Sequence, residues 1–346
     1  MITFHKIFNG DSRNMIDLSD DSIDLIVTSP PYPMVSMWDN MFIEIDGDIE
    51  DALESGNGNR AFDYMHYILD EVWDECYRVL KPGGFACINI GDATRTINGD
   101  FSLYSNHSRI ISSCVMAGFT NLPCIVWRKQ TNSPNKFMGS GVMPAGAYVT
   151  LEHEYILIFR KGSKREFKTQ SEKENRRMSS IFWEERNNWF SDVWTDLKGA
   201  SQKLGLKDRE RNASFPFELS YRLINMYSVI GDTVLDPFLG AGTTAFSAMS
   251  CGRNSCGYEI DFNLMPIIKN GINNVISLSI DRLKNRLRDH EMFVDDRILK
   301  GKEFKHYNKH YDFPVMTSQE SDLCFISPYD ICEQEDGVFR VVNRRI

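Results

Sequence analysis

No stretch of this chain approaches the ~20 unbroken apolar residues of a membrane helix. Its start, Met1-Ile2-Thr3-Phe4-His5-Lys6, has no apolar segment behind its charge, so no secretory signal is expected. No internal repeat or low-complexity tract is present. The eight cysteines form no Cys-x-x-Cys pair, which argues against a zinc knuckle or a thioredoxin-like motif. They read as reduced, mostly buried thiols of a cytoplasmic protein. Basic excess is also missing: 39 Lys and Arg against 48 Asp and Glu give a net charge of −9. Taken alone, that argues against a polyanionic partner. What remains is ordinary for a soluble globular protein: 346 residues, 42% hydrophobic and 25% charged.

The charge is uneven. Residues 1–76 hold 17 acidic and 3 basic side chains. Residues 160–177 hold Arg160, Lys161, Lys164, Arg165, Lys168, Lys173, Arg176 and Arg177 against three Glu. Such a run is either a solvated face or a phosphate-binding patch.

Strand and helix patterns alternate. Ile2 to Phe8 and Ile23 to Val27 read as strands. Residues 33–61 read as a long polar connection. Phe62 to Leu80 carries apolar residues at helical spacing and stops at Pro82-Gly83-Gly84. Phe85 to Ile90, Leu122 to Trp127 and Tyr155 to Phe159 read as strands, the last two as a hairpin with a long loop. From 161 to 211 no period emerges, and an inserted module is expected there. Thr233 to Leu235 and Ser255 to Glu259 read as strands flanking another helix. The pattern predicts a doubly wound, mostly parallel α/β sheet.

Asp236-Pro237-Phe238-Leu239-Gly240-Ala241-Gly242-Thr243-Thr244 is a Gly-rich turn between a strand and a helix. Glycine lets backbone pass close to a ligand, and the helix start presents free N–H groups. Glu259 stands 19 residues beyond Gly240, near the spacing at which a carboxylate accepts from ribose hydroxyls. The turn is not Gly-x-Gly-x-x-Gly and lacks a P-loop Lys. It suits a nucleoside cofactor without a pyrophosphate.

Thr28-Ser29-Pro30-Pro31-Tyr32 follows a buried strand. The exocyclic amine of a nucleobase is a poor nucleophile, because its lone pair is delocalised into the ring. A Ser29 hydroxyl and a Pro30 carbonyl that accept both N–H hydrogens would favour a tetrahedral nitrogen. The prolines hold the turn rigid, and Tyr32 would stack on a base removed from its duplex.

Together the two motifs resemble those of the S-adenosylmethionine-dependent DNA amino-methyltransferases. The catalytic motif comes first and the cofactor motif last, as in the β class of that family. Asn9-Gly10-Asp11, Lys81-Pro82-Gly83-Gly84, Trp127-Arg128-Lys129, His153-Glu154-Tyr155 and Phe215-Pro216-x-Glu218-Leu219 agree with the resemblance. It implies a Rossmann-like methyltransferase fold with permuted motif order. It implies a catalytic part at 1–160, a target-recognition insert at 161–211, a cofactor part at 212–270 and an extension of open role at 271–346. Asp236, Pro237, Phe238, Gly240, Gly242 and Thr243 would surround the methionine part of the cofactor, with Thr28 beside them. Glu259 would hold the ribose, Asp11 would lie at the adenine end, and Phe215 and Pro216 would close the pocket. Ser29, Pro30, Pro31 and Tyr32 would hold the target base. Arg160, Lys161, Lys164, Arg165, Lys168, Arg176 and Arg177 would meet the DNA. No metal is implied.

In this family Ser at the first motif position goes with cytosine N4 and Asp with adenine N6, so Ser29 points to N4-cytosine in double-stranded DNA. The alternatives are N6-adenine, an RNA or protein-amide methyltransferase, or an inactive DNA-binding module. A cognate restriction endonuclease, a monomer or homodimer, and a prokaryotic cytoplasm complete the expectation. Pro123-Cys124 looks like the nucleophile motif of C5-cytosine enzymes, but Cys124 lies in an apolar run and reads as structural. His153-Glu154 opens like His-Glu-x-x-His, but Leu157 ends that reading. Asp92, at a strand end, reads as a pocket residue or a cap.

Overall fold

The computed structural model describes residues 1–129, 138–199 and 215–346. Every residue of Ile23–Thr28 is buried. Alternate residues feed two cores: Ile26 packs with Val72 and Trp73 on one face, Leu25 and Val27 with Leu219, Leu223 and Ile224 on the other. A strand covered on both faces reads as a continuous apolar run rather than an alternating one.

Among the described residues the strands in chain order are β1 (Ile2–Asn9), β2 (Ile23–Thr28), β3 (Leu80–Ile90), β4 (Ala93–Ile97), β5 (Asp100–Tyr104), β6 (Phe119–Arg128), β7 (His153–Lys161), β8 (Val193–Trp194), β9 (Thr233–Asp236), β10 (Asn254–Glu259), β11 (His306–Tyr307), β12 (Pro314–Val315), β13 (Ile326–Glu335) and β14 (Val338–Arg345). Ten of them form one sheet in the order β13-β14-β1-β10-β9-β2-β3-β7-β6-β8. The central five, β1, β10, β9, β2 and β3, run parallel. β7 is antiparallel to both β3 and β6, and β14 is antiparallel to β1. The expected doubly wound sheet is present. From β2 the chain winds through the helix Gly58–Val79 to β3 on one side. From β9 it winds through Thr243–Ser250 to β10 on the other. β2 and β9 therefore flank the switch point, where such sheets open a crevice at their carboxyl ends.

Three differences from the sequence reading stand out. Residues 33–61 are largely helical, with Asp39–Ile45 and Asp48–Glu54 as helices and Phe42 and Ile49 fully buried. The described part of 161–211 does not fold apart from the sheet, and residues 200–211 of that stretch lie outside the described residues. β8 extends the sheet beside β6, and Trp189, Trp194 and Leu197 enter the core with Trp127. Trp194 Nε1 donates to Trp189 O at 3.0 Å, and Trp127 Nε1 to Leu197 O at 3.0 Å, so these indoles are core members. The tail contributes the helix Val275–Leu299 and a hairpin, β13 and β14, that joins the sheet beside β1.

Arg286 locks that helix to the rest. It is 4% exposed, and its Nε and Nη2 each donate to the Glu185 carboxylate at 2.6 Å. Nη1 donates to the Tyr221 hydroxyl at 3.1 Å. Removing one partner of a buried pair strands the other charge, at a cost of about 3–5 kcal/mol. Arg286→Met should therefore lower the stability read from urea unfolding by about that amount. A loss under about 1 kcal/mol would show that the pair does not hold the helix.

Candidate functional site

A cavity of about 890 Å³ opens at the carboxyl ends of β2 and β9. This is at the large end for a small-molecule site. Thr28 ends β2 and Asp236 ends β9, and the Thr28 hydroxyl donates to Asp236 Oδ1 at 2.6 Å across the switch point. Thr244 Oγ1 donates to Asp236 Oδ2 at 2.6 Å, and Phe238 N to Oδ1 at 3.0 Å. Burial pushes the Asp236 carboxyl up to about 6, against the pull of these bonds. Asp236 thus clips the Gly-rich turn to the strand that carries Ser29.

Gly240 has φ +55°, and a side chain there would point into open space, with Phe238 O as its one neighbour at 3.9 Å. Its N–H donates to Glu259 Oε2 at 2.8 Å, and Asp261 N donates to Oε1 at 2.8 Å. Burial, opposed by these two bonds, raises Glu259 to about 7. Gly242 has φ +93°, and a Cβ would come within 2.8 Å of the Phe246 ring, so its need is packing. Asp11 is bound by Arg13 through Nε at 2.9 Å and Nη2 at 2.7 Å at the cavity rim. Asp11 is held below the usual carboxylate range: burial raises it, and the Arg13 bonds and charge more than offset that.

The cavity wall includes Asp11, Ser29, Pro30, Pro31, Tyr32, Phe215, Asp236, Pro237, Phe238, Gly240, Thr243 and Glu259. Thr28, Pro216 and Gly242 stand behind that wall: Thr28 as the clip, Pro216 as the cap of the helix Phe217–Tyr227, Gly242 as that of Thr243–Ser250. Trp38, Met41, Phe42 and Ile45, from the segment read as a polar connection, also line the cavity. Arg95 on β4 grips Asp39 of this cover with two bonds of 2.8 and 2.7 Å.

Three residues to which the motifs gave no role, Asn89, Lys129 and Glu154, gather around Tyr32. Tyr32 Oη donates to Glu154 Oε2 at 3.1 Å. Asn89 Nδ2 donates both to Tyr32 Oη at 2.9 Å and to Glu154 Oε2 at 2.8 Å. Lys129 Nζ holds Glu154 Oε1 at 2.8 Å. Ser29 Oγ reaches Tyr32 Oη at 3.2 Å. Burial and then the Glu154 charge push the Tyr32 phenol up, so it stays protonated. Asp92 is not in the cavity wall; it caps the helix Asn106–Ala117 and holds His107 Nδ1 at 2.8 Å.

The basic stretch lies elsewhere. β7 runs antiparallel to β3, so Tyr155 pairs with Ile90 near the cavity while Arg160 pairs with Phe85 toward the other end. Arg165 binds Asp232 at 2.7 and 3.0 Å and approaches Asp24 at 3.6 Å, both at the amino ends of β9 and β2. Lys161 Nζ is bound to Asp21 and Tyr77 O, each at 2.7 Å, and Arg160 Nε to Gly162 O at 2.9 Å. Lys164, Lys168, Arg176 and Arg177 are exposed, with Arg176 over the Phe167 ring. None of the seven lines the cavity.

The donor set fits a cationic nucleoside. Carboxylates at Asp11, Glu44, Glu259 and Asp261 line the cavity together with the rings of Phe238, Tyr258 and Phe262, with no phosphate-binding lysine in the turn. Among the described residues no cluster of His, Cys, Asp or Glu is placed to hold a metal. A fold with its crevice at the switch point, and an acid-lined pocket joined to the rigid Ser29-Pro30-Pro31-Tyr32 turn, fit the class of nucleoside-dependent group-transfer enzymes.

Comparison with known proteins gives the family. The DNA methylase family of N6 and N4 methyltransferases matches residues 23–270. The Type II methyltransferase M.MthZI of Methanothermobacter thermautotrophicus is 52% identical over 330 residues, covering 95% of this chain and 92% of that one. M.MjaI of Methanocaldococcus jannaschii, also a Type II methyltransferase, is 50% identical over 282 residues, covering 78% and 91%. Among solved structures, a Thermus thermophilus protein assigned as a DNA modification methylase, complexed with S-adenosyl-L-methionine, superposes with a TM-score of 0.59. It is 30% identical over 78% of this chain and 94% of its own. The chain belongs to the DNA methylase family of N6/N4 amino-methyltransferases. Its cofactor is S-adenosyl-L-methionine and its substrate is DNA.

Proposed function

We propose that this enzyme methylates the exocyclic N4 amine of cytosine in double-stranded DNA, on a base turned out of the helix. The observation that carries the reading is Ser29: a neutral hydroxyl acceptor in the same cavity wall as Glu259 and the Gly-rich turn. Hydroxyl and carboxylate both accept from an amine; the choice of base follows the family pattern, in which Ser at that position goes with cytosine N4 and Asp with adenine N6.

When bound, the cofactor supplies a methyl group on a sulfonium. Glu259 would hold its ribose, Asp11 and Phe262 its adenine end, and Phe238, Gly240 and Thr243 its methionine end. Ser29 Oγ and the Pro30 carbonyl would accept the two amine hydrogens and free the nitrogen lone pair toward the methyl. Pro31 keeps the turn stiff, and the apolar cover from Trp38 to Ile45 excludes water. Catalysis is then mainly positioning and desolvation. The duplex would approach across the carboxyl ends of the strands, so base contacts fall to loops there rather than to Arg160–Arg177. The Type II designation of two relatives supports a restriction–modification setting with a cognate endonuclease.

The test is nucleoside mass spectrometry of mixed genomic DNA incubated with the protein and isotopically labelled S-adenosylmethionine. Label in N4-methylcytosine is expected. Label in N6-methyladenine overturns the base assignment.

A further inference from the structure

Ser29 serves as an acceptor only while its own hydrogen points away from the amine. A hydroxyl carries one donor and two lone pairs, and either can face a substrate. The hydrogen bonds around it decide which. Tyr32 Oη receives a hydrogen from Asn89 Nδ2. Asn89 is 2% exposed, and its Nδ2 also faces Glu154 Oε2; the reversed amide would set its oxygen against a carboxylate. Glu154 accepts from Lys129 at Oε1 and from Asn89 at Oε2, and the Tyr32 hydrogen goes to Oε2 as well. The one remaining place on Tyr32 Oη is a lone pair, and Ser29 donates to it. Both Ser29 lone pairs are then left for the cavity.

We infer that Glu154, held by Lys129 and Asn89, is a positioning residue that fixes the polarity of the Ser29–Tyr32 chain and keeps Ser29 a pure acceptor toward the target amine. The inference rests on the reading of Ser29 as the amine acceptor. Glu154 also lines the cavity, but both its oxygens are taken, Oε2 by Tyr32 and Asn89 and Oε1 by Lys129, so it acts on Ser29 through Tyr32. Lys129 gives the arrangement its direction, because its ammonium donates to Oε1 and can face only an acceptor there.

The direction makes a paired test possible. In Glu154→Gln the amide must turn its oxygen to Lys129, so its NH2 faces Tyr32. That NH2 would also meet Asn89 Nδ2, 2.8 Å from the same place, so the test is made in an Asn89→Leu background, where no second amide can turn an oxygen to Tyr32. Tyr32 then receives from the Gln amide and gives its hydrogen to Ser29, whose own hydrogen turns into the cavity. Methyl transfer to DNA should lose about 10²-fold in kcat, with the KM for S-adenosylmethionine unchanged. Adding Lys129→Met removes the demand for an acceptor. The amide can then turn its oxygen to Tyr32, and kcat should recover at least tenfold over the variant without it. A merely structural Glu154 predicts the opposite, since a further lesion would only add damage. The inference is overturned if, in that background, Glu154→Gln keeps kcat within threefold of Asn89→Leu alone, or if adding Lys129→Met makes it no faster. Tyr32→Phe keeps the ring and removes the hydroxyl that orients Ser29. It must also lose at least tenfold in kcat, and full activity overturns the inference however the Gln variant folds. Ser29→Ala, run alongside, separates the levels. If that variant is active, the acceptor reading itself fails; if it is inactive while Glu154→Gln is active, only the polarity inference fails.

Discussion

Ser29→Ala is expected to lower kcat on DNA by about 10²–10³-fold, the scale for deleting one preorganised hydrogen-bonding group at a reacting centre. The S-adenosylmethionine Kd should stay within about twofold, because Ser29 bonds toward Tyr32 and not toward Glu259 or the Gly-rich turn. The core is untouched: Ser29 is only half-buried, and the Thr28 clip to Asp236 remains. Methyl incorporation at saturating cofactor, with calorimetric binding of the cofactor, reads the two quantities separately. A variant retaining more than a tenth of wild-type kcat would remove Ser29 from the chemistry.

Glu259→Ala should act at the other end of the cavity. Two hydroxyl-to-carboxylate bonds of about 1.5 kcal/mol each predict a cofactor Kd weaker by about 10²-fold. Part of that loss comes from the Gly240 and Asp261 N–H groups, which lose their acceptor. The same residue sets a pH dependence. Burial raises Glu259 to about 7, with the charges of Asp261 and Asp236 pushing the same way and the two backbone N–H groups opposing. Hydroxyl donors need the ionised carboxylate. Cofactor affinity should therefore be full above about 7 and fall toward tenfold per unit below it. Stability of the free protein has the opposite slope. The folded state keeps a proton that the unfolded chain has released, so this contribution is present at low pH and is lost as pH rises through about 7. In Glu259→Gln the dependence near 7 should vanish, leaving that of Asp236 near 6. An unchanged pH profile in that variant would show that another group sets it.

The parts of the site legible in the sequence are those written in consecutive letters. Ser29 to Tyr32 and Asp236 to Thr243 are turns, and a turn's residues stay neighbours in space whatever surrounds them. Glu259 was reachable because one strand–helix–strand unit fixes its distance from Gly240. Asn89 and Glu154 lie on β3 and β7, Lys129 just past the end of β6, and the three meet only through the pairing of those strands. A signal existed: Asn89 and Glu154 are polar letters inside apolar strands, and such residues are buried only with partners. The cavity cover was hidden by composition. Phe42, Ile45, Ile49 and Ala52 keep helical spacing, but Asp, Glu and Gly around them suggested a loop, and helices of 7 residues give little periodicity. The position of the basic stretch was hidden for another reason. Counting charge does not tell which end of a sheet it occupies, and the antiparallel course of β7 carries it away from the cavity.

The place of β1 has a consequence for how the molecule is made. Its two neighbours in the sheet are β10 and β14, so His5 pairs with Ser255 on one side and Phe339 on the other. β1 therefore waits for about 250 further residues before β10 follows it, on the order of tens of seconds at usual synthesis rates. Until then Ile7, and the buried Thr3 and His5, have no sheet to enter. Closing so long a loop is slow, and the nascent chain carries an unpaired strand throughout. The parallel sheet closes around β1 only long after β1 itself has been made.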